Sequence, residues 1–203
     1  MSGRASSVKI KAGCHAAAGP AWQGSATGNL QMRGKILLSA ALAAAVMGSL
    51  AFAPQAALAH GAIVAAPSTV SAGTIVVRTT ERRLYYGLGG GRAIAYPVGV
   101  GRAGMQWSGT SYINGKYIRP DWSPPSVVRA DHPGLPNVVK GGSPRNPMGV
   151  AAMSLAGGEY AIHGTNQPGS IGHFVSYGCI RMFNEDIRDL YERVSVGTEV
   201  VVQ

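Results

Sequence analysis

Cysteine is nearly absent from this 203-residue chain, which holds two, Cys14 and Cys179. Paired metal-ligand spacings such as CxxC or HxxxH do not occur among His60, His132, His163, His173 and Cys179, so no metal is expected. Acidic residues are missing from positions 1–59, where the five basic residues are Arg4, Lys9, Lys11, Arg33 and Lys35. From His60 onward, 13 basic and 9 acidic residues leave a formal net charge of about +4, against +9 for the whole chain. The high isoelectric point is therefore partly a property of the first segment. Clusters of Lys and Arg interleaved with aromatics are also lacking, and nucleic acid is not an expected partner. Gly99-Val100-Gly101-Arg102-Ala103-Gly104 matches GxGxxG, but the helix that a dinucleotide fingerprint needs is missing after it. Met105-Gln106-Trp107-Ser108-Gly109-Thr110 is no helix, and no cofactor is expected.

The acid-free segment has the layout of an export signal. Met32-Arg33-Gly34-Lys35 is a positive start, 36–52 an apolar alanine-rich run, and Ala57-Leu58-Ala59 a small-x-small site that predicts cleavage before His60. A retained anchor is the alternative for an apolar run that approaches bilayer-spanning length. Residues 1–31 then form a non-native or disordered extension, 32–59 the signal peptide, 60–73 a flexible lead-in and 74–203 the folded domain. The expected location is outside the cytoplasm, in the periplasm or cell wall. Nothing apolar enough precedes Cys14 for lipid attachment. An exported chain left with Cys179 alone cannot close an internal disulfide, and a free thiol in an oxidising compartment is a liability unless it has a use.

From Thr74 the texture is that of short strands and turns. The stretches 74–77 and 83–86 are β-rich, Gly87 to Gly91 makes a turn, and 92–98 reads as a return strand. Residues 105–147, rich in Gly, Pro, Trp and Asn, are expected to be loops with short strands. Two more strands, 150–155 and 159–162, flank a turn at Gly157-Gly158. One helix is clear: Asn184 is a candidate N-cap, Glu185 and Asp186 complement the helix dipole, and Ile187, Leu190, Tyr191 and Val194 share a face. Gly197 ends it and 198–202 closes as a strand. The class is mainly β, and about 130 residues suffice for one core without staples.

The chemistry concentrates in 162–182, which contains His163, His173 and Cys179 among closely spaced glycines. A thiol attacks only as thiolate and needs a base or a positive field to ionise near neutral pH. A histidine can be that base. Gly178 permits a tight turn that frees amide N–H groups for an oxyanion, and Arg181 offers a charge for a carboxylate. The bland alternative is that Cys179 is a small buried hydrophobe.

His163-Gly164-Thr165 followed by Ser176-Tyr177-Gly178-Cys179-Ile180-Arg181-Met182 resembles the signature of the YkuD-type L,D-transpeptidase catalytic domain. Further matches are Tyr96-Pro97-Val98-Gly99-Val100-Gly101, Asn146-Pro147-Met148-Gly149 and Val196-Gly197-Thr198-Glu199-Val200. The resemblance covers about 74–202 and implies a β-sandwich of packed mixed sheets acting on peptidoglycan stem peptides. It implies Cys179 as nucleophile, releasing D-alanine from a tetrapeptide stem and leaving a thioester for an amine acceptor. That acceptor is a second stem, giving a 3→3 cross-link, or a lipoprotein lysine. His163 matches the proton donor and acceptor, oriented through the backbone carbonyl of Gly164. Gly178 and Cys179 match the oxyanion donors. Arg181 would hold the loop or a stem carboxylate, and Ser176 fits the hydroxyl position of the motif. Family members are also acylated by carbapenems. Tyr177 stands where many members have a second histidine, which removes a base from that position. His173 is the alternative base.

Sortase-like enzymes also run His, Cys, Arg, but with a more distant His and Arg, and papain-like or NlpC-type hydrolases place Cys before His. A non-catalytic peptidoglycan-binding module, or a carboxypeptidase that uses water as acceptor, are the remaining alternatives. Oligomeric state is not legible in the sequence.

Overall fold

The structure, a computed structural model, describes residues 9–11 and 61–203. The signal-peptide expectation for 32–59 lies outside the described residues, as does the extension 1–31 apart from 9–11. The first half of the chain runs through β1 (Lys9–Lys11), β2 (Ala62–Ala65), β3 (Ile75–Arg78), β4 (Arg83–Gly89), β5 (Arg92–Pro97), β6 (Val100–Gly101) and β7 (Gly109–Ile118). There follow β8 (Asp121–Ser123), α1 (Ser126–Asp131), β9 (Ala151–Leu155), β10 (Ala161–His163) and a 3-10 turn at Pro168–Ser170. The chain closes with β11 (Phe174–Ser176), β12 (Ile180–Arg181), α2 (Asn184–Arg193) and β13 (Glu199–Val202).

Nine strands form one mixed sheet in the order β12-β10-β9-β7-β13-β3-β4-β5-β2. Two pairs within it are parallel, β10 with β12 and β13 with β3. β6 pairs with β11, and β1 pairs parallel with β8. The sheet curls until its β12 edge meets the chain that continues β5, one strand in from the other edge. Just beyond β5, Gly99 exchanges two backbone hydrogen bonds with Arg181 of β12, at 2.9 and 2.8 Å. Tyr96 near one end of the sheet and Ile162 and Ile180 at the other therefore share one core with Ile187 and Leu190 of α2. Each such side chain contributes about 1.5–3 kcal/mol by burial. The expected mainly β class with packed mixed sheets is what the fold shows.

Three local expectations need correcting. The lead-in 60–73 is not wholly flexible, because Ala62–Ala65 pairs antiparallel with β5 as an edge strand. Its alternation of exposed and half-buried residues is too short to stand out beside the Ala and Pro around it. The region 105–147 contains a ten-residue strand, β7, whose apolar pattern is interrupted by Asn114 and Gly115 at a register shift. Asn184 is not the N-cap of α2. It is the first helical residue, Phe183 occupies the cap position, and no side chain caps the helix there.

α2 is fastened at its C-terminus and near its middle. Lys116 Nζ donates to the carbonyls of Tyr191 and Val194, each at 2.6 Å, which satisfies groups the helix C-terminus leaves open. Tyr96 of β5 donates its hydroxyl to Asp189, which also takes hydrogen bonds from Arg193. Arg193 first, and Tyr96 after it, hold the Asp189 carboxyl below the usual carboxylate range, while burial opposes them. A depressed folded-state pKa gives stability that is present above the unfolded value, about 3.9, and is lost as pH falls through the folded one. Asp189→Asn is therefore expected to flatten the acid limb of a stability-versus-pH curve below about pH 4. An unchanged limb in urea titrations would remove Asp189 from that account.

Candidate active site

β10 and β12 run side by side in register, with Ile162 opposite Ile180 and His163 opposite Arg181. Residues opposite one another in a ladder share a face, and faces alternate along each strand. Ile162 and Ile180 face the main core. Ala161 faces the other way, into a smaller cluster with Trp122, Met148, Ala152 and Cys179. His163, two residues after Ala161, shares that side and lies opposite Ala152 of β9. Parallel pairing thus puts His163 on β10 and Cys179, 16 positions further on and just before β12, on a common side. Both are fully buried, and Arg181 is 1% exposed.

The imidazole has two different nitrogens. His163 Nδ1 lies 2.5 Å from the carbonyl oxygen of Gly164, whereas Nε2 is buried with no hydrogen-bond partner. A carbonyl only accepts, so the ring proton belongs on Nδ1 and the lone pair on Nε2. That is the tautomer a proton acceptor requires. The group in contact with Nδ1 is the backbone carbonyl of Gly164.

The turn that carries Cys179 is held from three sides. Ser176 Oγ donates to the Cys179 carbonyl at 2.6 Å and accepts the Gly178 N–H at 3.1 Å, so its hydroxyl clamps the turn. Gly178 has φ +113°, and a Cβ there would run into the ring of Tyr160. Trp107 stacks on Tyr160 with ring centres 5.0 Å apart and donates its indole N–H to the Gly178 carbonyl at 2.9 Å. Gly178→Ala is expected to cost roughly 1–3 kcal/mol through backbone strain and displacement of Tyr160. Urea denaturation measures this, and a loss under about 0.5 kcal/mol would mean the turn relaxes freely.

The clamp revises one expectation. Gly178 and Cys179 were both candidate oxyanion donors, but the Gly178 N–H is committed to Ser176 Oγ. Tyr177 also has other employment. It is 4% exposed, donates its hydroxyl to Asp131 at 2.6 Å, and lies under the Arg102 guanidinium, 4.2 Å from the ring centre. Arg102 also pairs with Asp131 at 2.6 Å. Burial, then the hydrogen bond to Asp131, raises the Tyr177 phenol, and the same Tyr177 contact followed by Arg102 lowers the Asp131 carboxyl. Tyr177 is thus a neutral donor that ties the thiol turn to the end of α1. Arg181 Nη1 points to Ser170 Oγ at 3.4 Å, and its backbone carries the bridge to Gly99, which suits support of the loop. His173 is exposed in the turn before β11, and its carbonyl accepts from Val100.

A cleft of about 360 Å³ is walled by Met105, Pro125, Val127, Tyr160 and Tyr177. Glu159, on the same cleft, has its carbonyl 4.0 Å from Cys179 Sγ. A larger groove of about 560 Å³ runs past Thr165, Asn184 and Gly149, and Cys179 lines neither this groove nor the smaller cleft. Among the described residues no group of three His, Cys, Asp or Glu side chains is placed to hold a metal ion. Sequence reasoning did not find Trp107, Tyr160, Asp131, Arg102 or the function of the Asn184 side chain.

The domain is mainly β, with His163 buried on β10 and Cys179 buried on the same side just before β12. The model of the L,D-transpeptidase catalytic domain, YkuD, matches residues 72–202, and the chain belongs to that family. It is 43% identical over 143 residues to the probable L,D-transpeptidase YbiS of Escherichia coli K12, across 66% of this chain and 45% of that protein. It is 41% identical over 145 residues to the probable L,D-transpeptidase ErfK/SrfK of the same strain, across 67% of this chain and 45% of that protein. The chain thus spans a little under half the length of these curated relatives. Among solved structures, the Ldtfm–avibactam carbamoyl enzyme superposes with a TM-score of 0.52 at 19% identity, over 66% of this chain and 49% of that one, a likeness of fold.

Proposed function

We propose that this domain is a peptidoglycan L,D-transpeptidase working through an acyl-enzyme on Cys179. The observation that carries the reading is the state of His163, with Nδ1 on the Gly164 carbonyl and Nε2 buried without a partner on the strand beside Cys179. Nε2 takes the thiol proton, and the thiolate sulfur attacks the carbonyl carbon at the L-centre of the diamino acid in a tetrapeptide stem. The carbonyl π electrons move to oxygen, where the Cys179 N–H receives the charge, and the Gly178 N–H joins it if Ser176 Oγ releases it. Collapse breaks the C–N bond to D-alanine, whose nitrogen leaves with the proton returned by Nε2. A thioester remains. An acceptor amine then attacks the thioester carbon, gives its proton to Nε2, and expels the Cys179 sulfur.

Arg181 supports the loop that carries the thiol, through its backbone bridge to Gly99 and its side-chain contact with Ser170. The cleft beside Tyr160 and Tyr177 holds the stem. Export with cleavage before His60 would deliver the domain to the periplasm or cell wall, where stems are found.

The test is incubation with a tetrapeptide stem fragment and separation of the products. D-alanine released together with a stem dimer is the expected result. D-alanine with the tripeptide alone would make water the acceptor. Neither product from a folded chain with a titratable thiol would favour a non-catalytic wall-binding module.

A further inference from the structure

Asn184 opens α2 yet does not cap it, and its carboxamide turns back to the loop after His163. Oδ1 accepts the Thr165 N–H at 3.1 Å and the Val150 N–H at 3.3 Å, and Nδ2 donates to the Thr165 carbonyl at 3.0 Å. The carboxamide is closely approached on its Oδ1 side, while the residue also lines the larger groove. A Cβ at Gly164 would run into Oδ1, and one at Gly149 would run into Oδ1 and the Thr165 backbone nitrogen, at a position whose φ of +64° already favours glycine. An amide that only decorated the surface would leave room there.

The Thr165 N–H and the Gly164 C=O belong to the same peptide unit. That unit is planar and trans, so its N–H and C=O point in opposite directions and cannot be aimed independently. Asn184 Oδ1 holds the N–H end at 3.1 Å. The C=O end is the group 2.5 Å from His163 Nδ1. Fixing one end fixes the other, and a hydrogen bond to the N–H also polarises the carbonyl into a better acceptor.

We infer that Asn184 is a positioning residue for His163: through the 164–165 peptide it locks the imidazole in the Nδ1–H tautomer and leaves Nε2 as the proton acceptor. The inference deepens the proposed mechanism and rests on it, because the lock matters only if Nε2 serves Cys179. The lock links the N-terminus of α2, a helix packed on the core by Ile187 and Leu190, directly to the base.

The test compares the full chain with Asn184→Ala and Asn184→Asp. Aspartate keeps an acceptor for the Thr165 N–H and adds negative charge to the first turn of α2, where the helix dipole favours it. The ring tautomer of His163 is read by nitrogen NMR, and the reactivity of Cys179 by the pH profile of iodoacetamide alkylation. In Asn184→Ala the Nδ1–H tautomer should give way to a mixture, with alkylation near pH 7 slowed about tenfold, one pK unit's worth. Asn184→Asp should retain the wild-type tautomer and profile. A folded Asn184→Ala chain with both readouts unchanged overturns the inference, and so does an Asp variant no better than Ala. If the Ala variant does not fold, amide exchange in the wild-type chain decides. A protected Thr165 N–H is expected, and a freely exchanging one refutes the lock. Failure of the enzymatic reading would appear separately, as a wild-type thiol that alkylates like a free cysteine while the tautomer is still locked.

Discussion

Replacing Cys179 by Ala is expected to cut D-alanine release from a tetrapeptide stem by a factor of about 10⁴ or more, because the acyl-enzyme can no longer form. The fold should survive. Cys179 packs as a small apolar side chain among Trp122, Met148, Ala152 and Ala161, and loss of one sulfur from such a site costs on the order of 1 kcal/mol. Activity and stability are thereby separated in one variant. Release retained within tenfold, with the thiol gone, would assign the nucleophile elsewhere.

His163→Gln is the second large effect. The loss of a positioned base lowers turnover by roughly 10²–10⁴-fold. Glutamine can still occupy the space beside Ala152, but it offers no nitrogen that takes up and returns a proton near neutral pH. Cys179 should then alkylate slowly at pH 7 and approach wild-type rates only as pH rises towards the range of an ordinary thiol, about 8.5. The pH profile, rather than the single rate, distinguishes lost proton transfer from loosened packing. A profile unchanged from wild type would remove His163 from the mechanism.

What could be read in the sequence follows the range of the interactions involved. Cys179, Gly178, Ser176 and Arg181 sit in one short stretch, and the turn they build is local, so residue type and order suffice. α2 was equally plain, because Ile187, Leu190 and Val194 recur at helical spacing and a helix needs nothing distant to declare itself. The hairpins of β3 with β4 and β9 with β10 follow from apolar runs separated by turn residues. The walls of the site do not. Trp107 reaches Gly178 across 71 positions, and Tyr177 reaches Asp131 across 46. Such contacts depend on which strands pair and in what register, which no local pattern encodes. β7 was obscured for a related reason: Asn114 and Gly115 interrupt its alternation at a register shift, and they read as turn chemistry. Asn184 misled by its position. An Asn at a helix start is ordinarily a cap, and only the tertiary approach of 164–165 gives its carboxamide other partners.

Gly178 and Ser176 refine the chemistry more than the fold. The Ser176 hydroxyl both closes the turn on the Cys179 carbonyl and takes the Gly178 N–H, so one of two expected oxyanion donors is held back in this state. The Cys179 thiol and His163 are both fully buried, and the cleft between Tyr160 and Tyr177 is the proposed entry for a stem carbonyl. The tie from Tyr177 to Asp131 and Arg102 borders that entry.

The central claim is that Cys179 becomes acylated, and intact-protein mass spectrometry tests it most directly. The chain is incubated separately with a tetrapeptide stem fragment and with a carbapenem, then digested to locate the added mass. The account predicts a covalent adduct on the peptide containing Cys179 with each reagent, and free D-alanine from the stem. A folded chain with a reduced thiol that gains mass from neither reagent would contradict it.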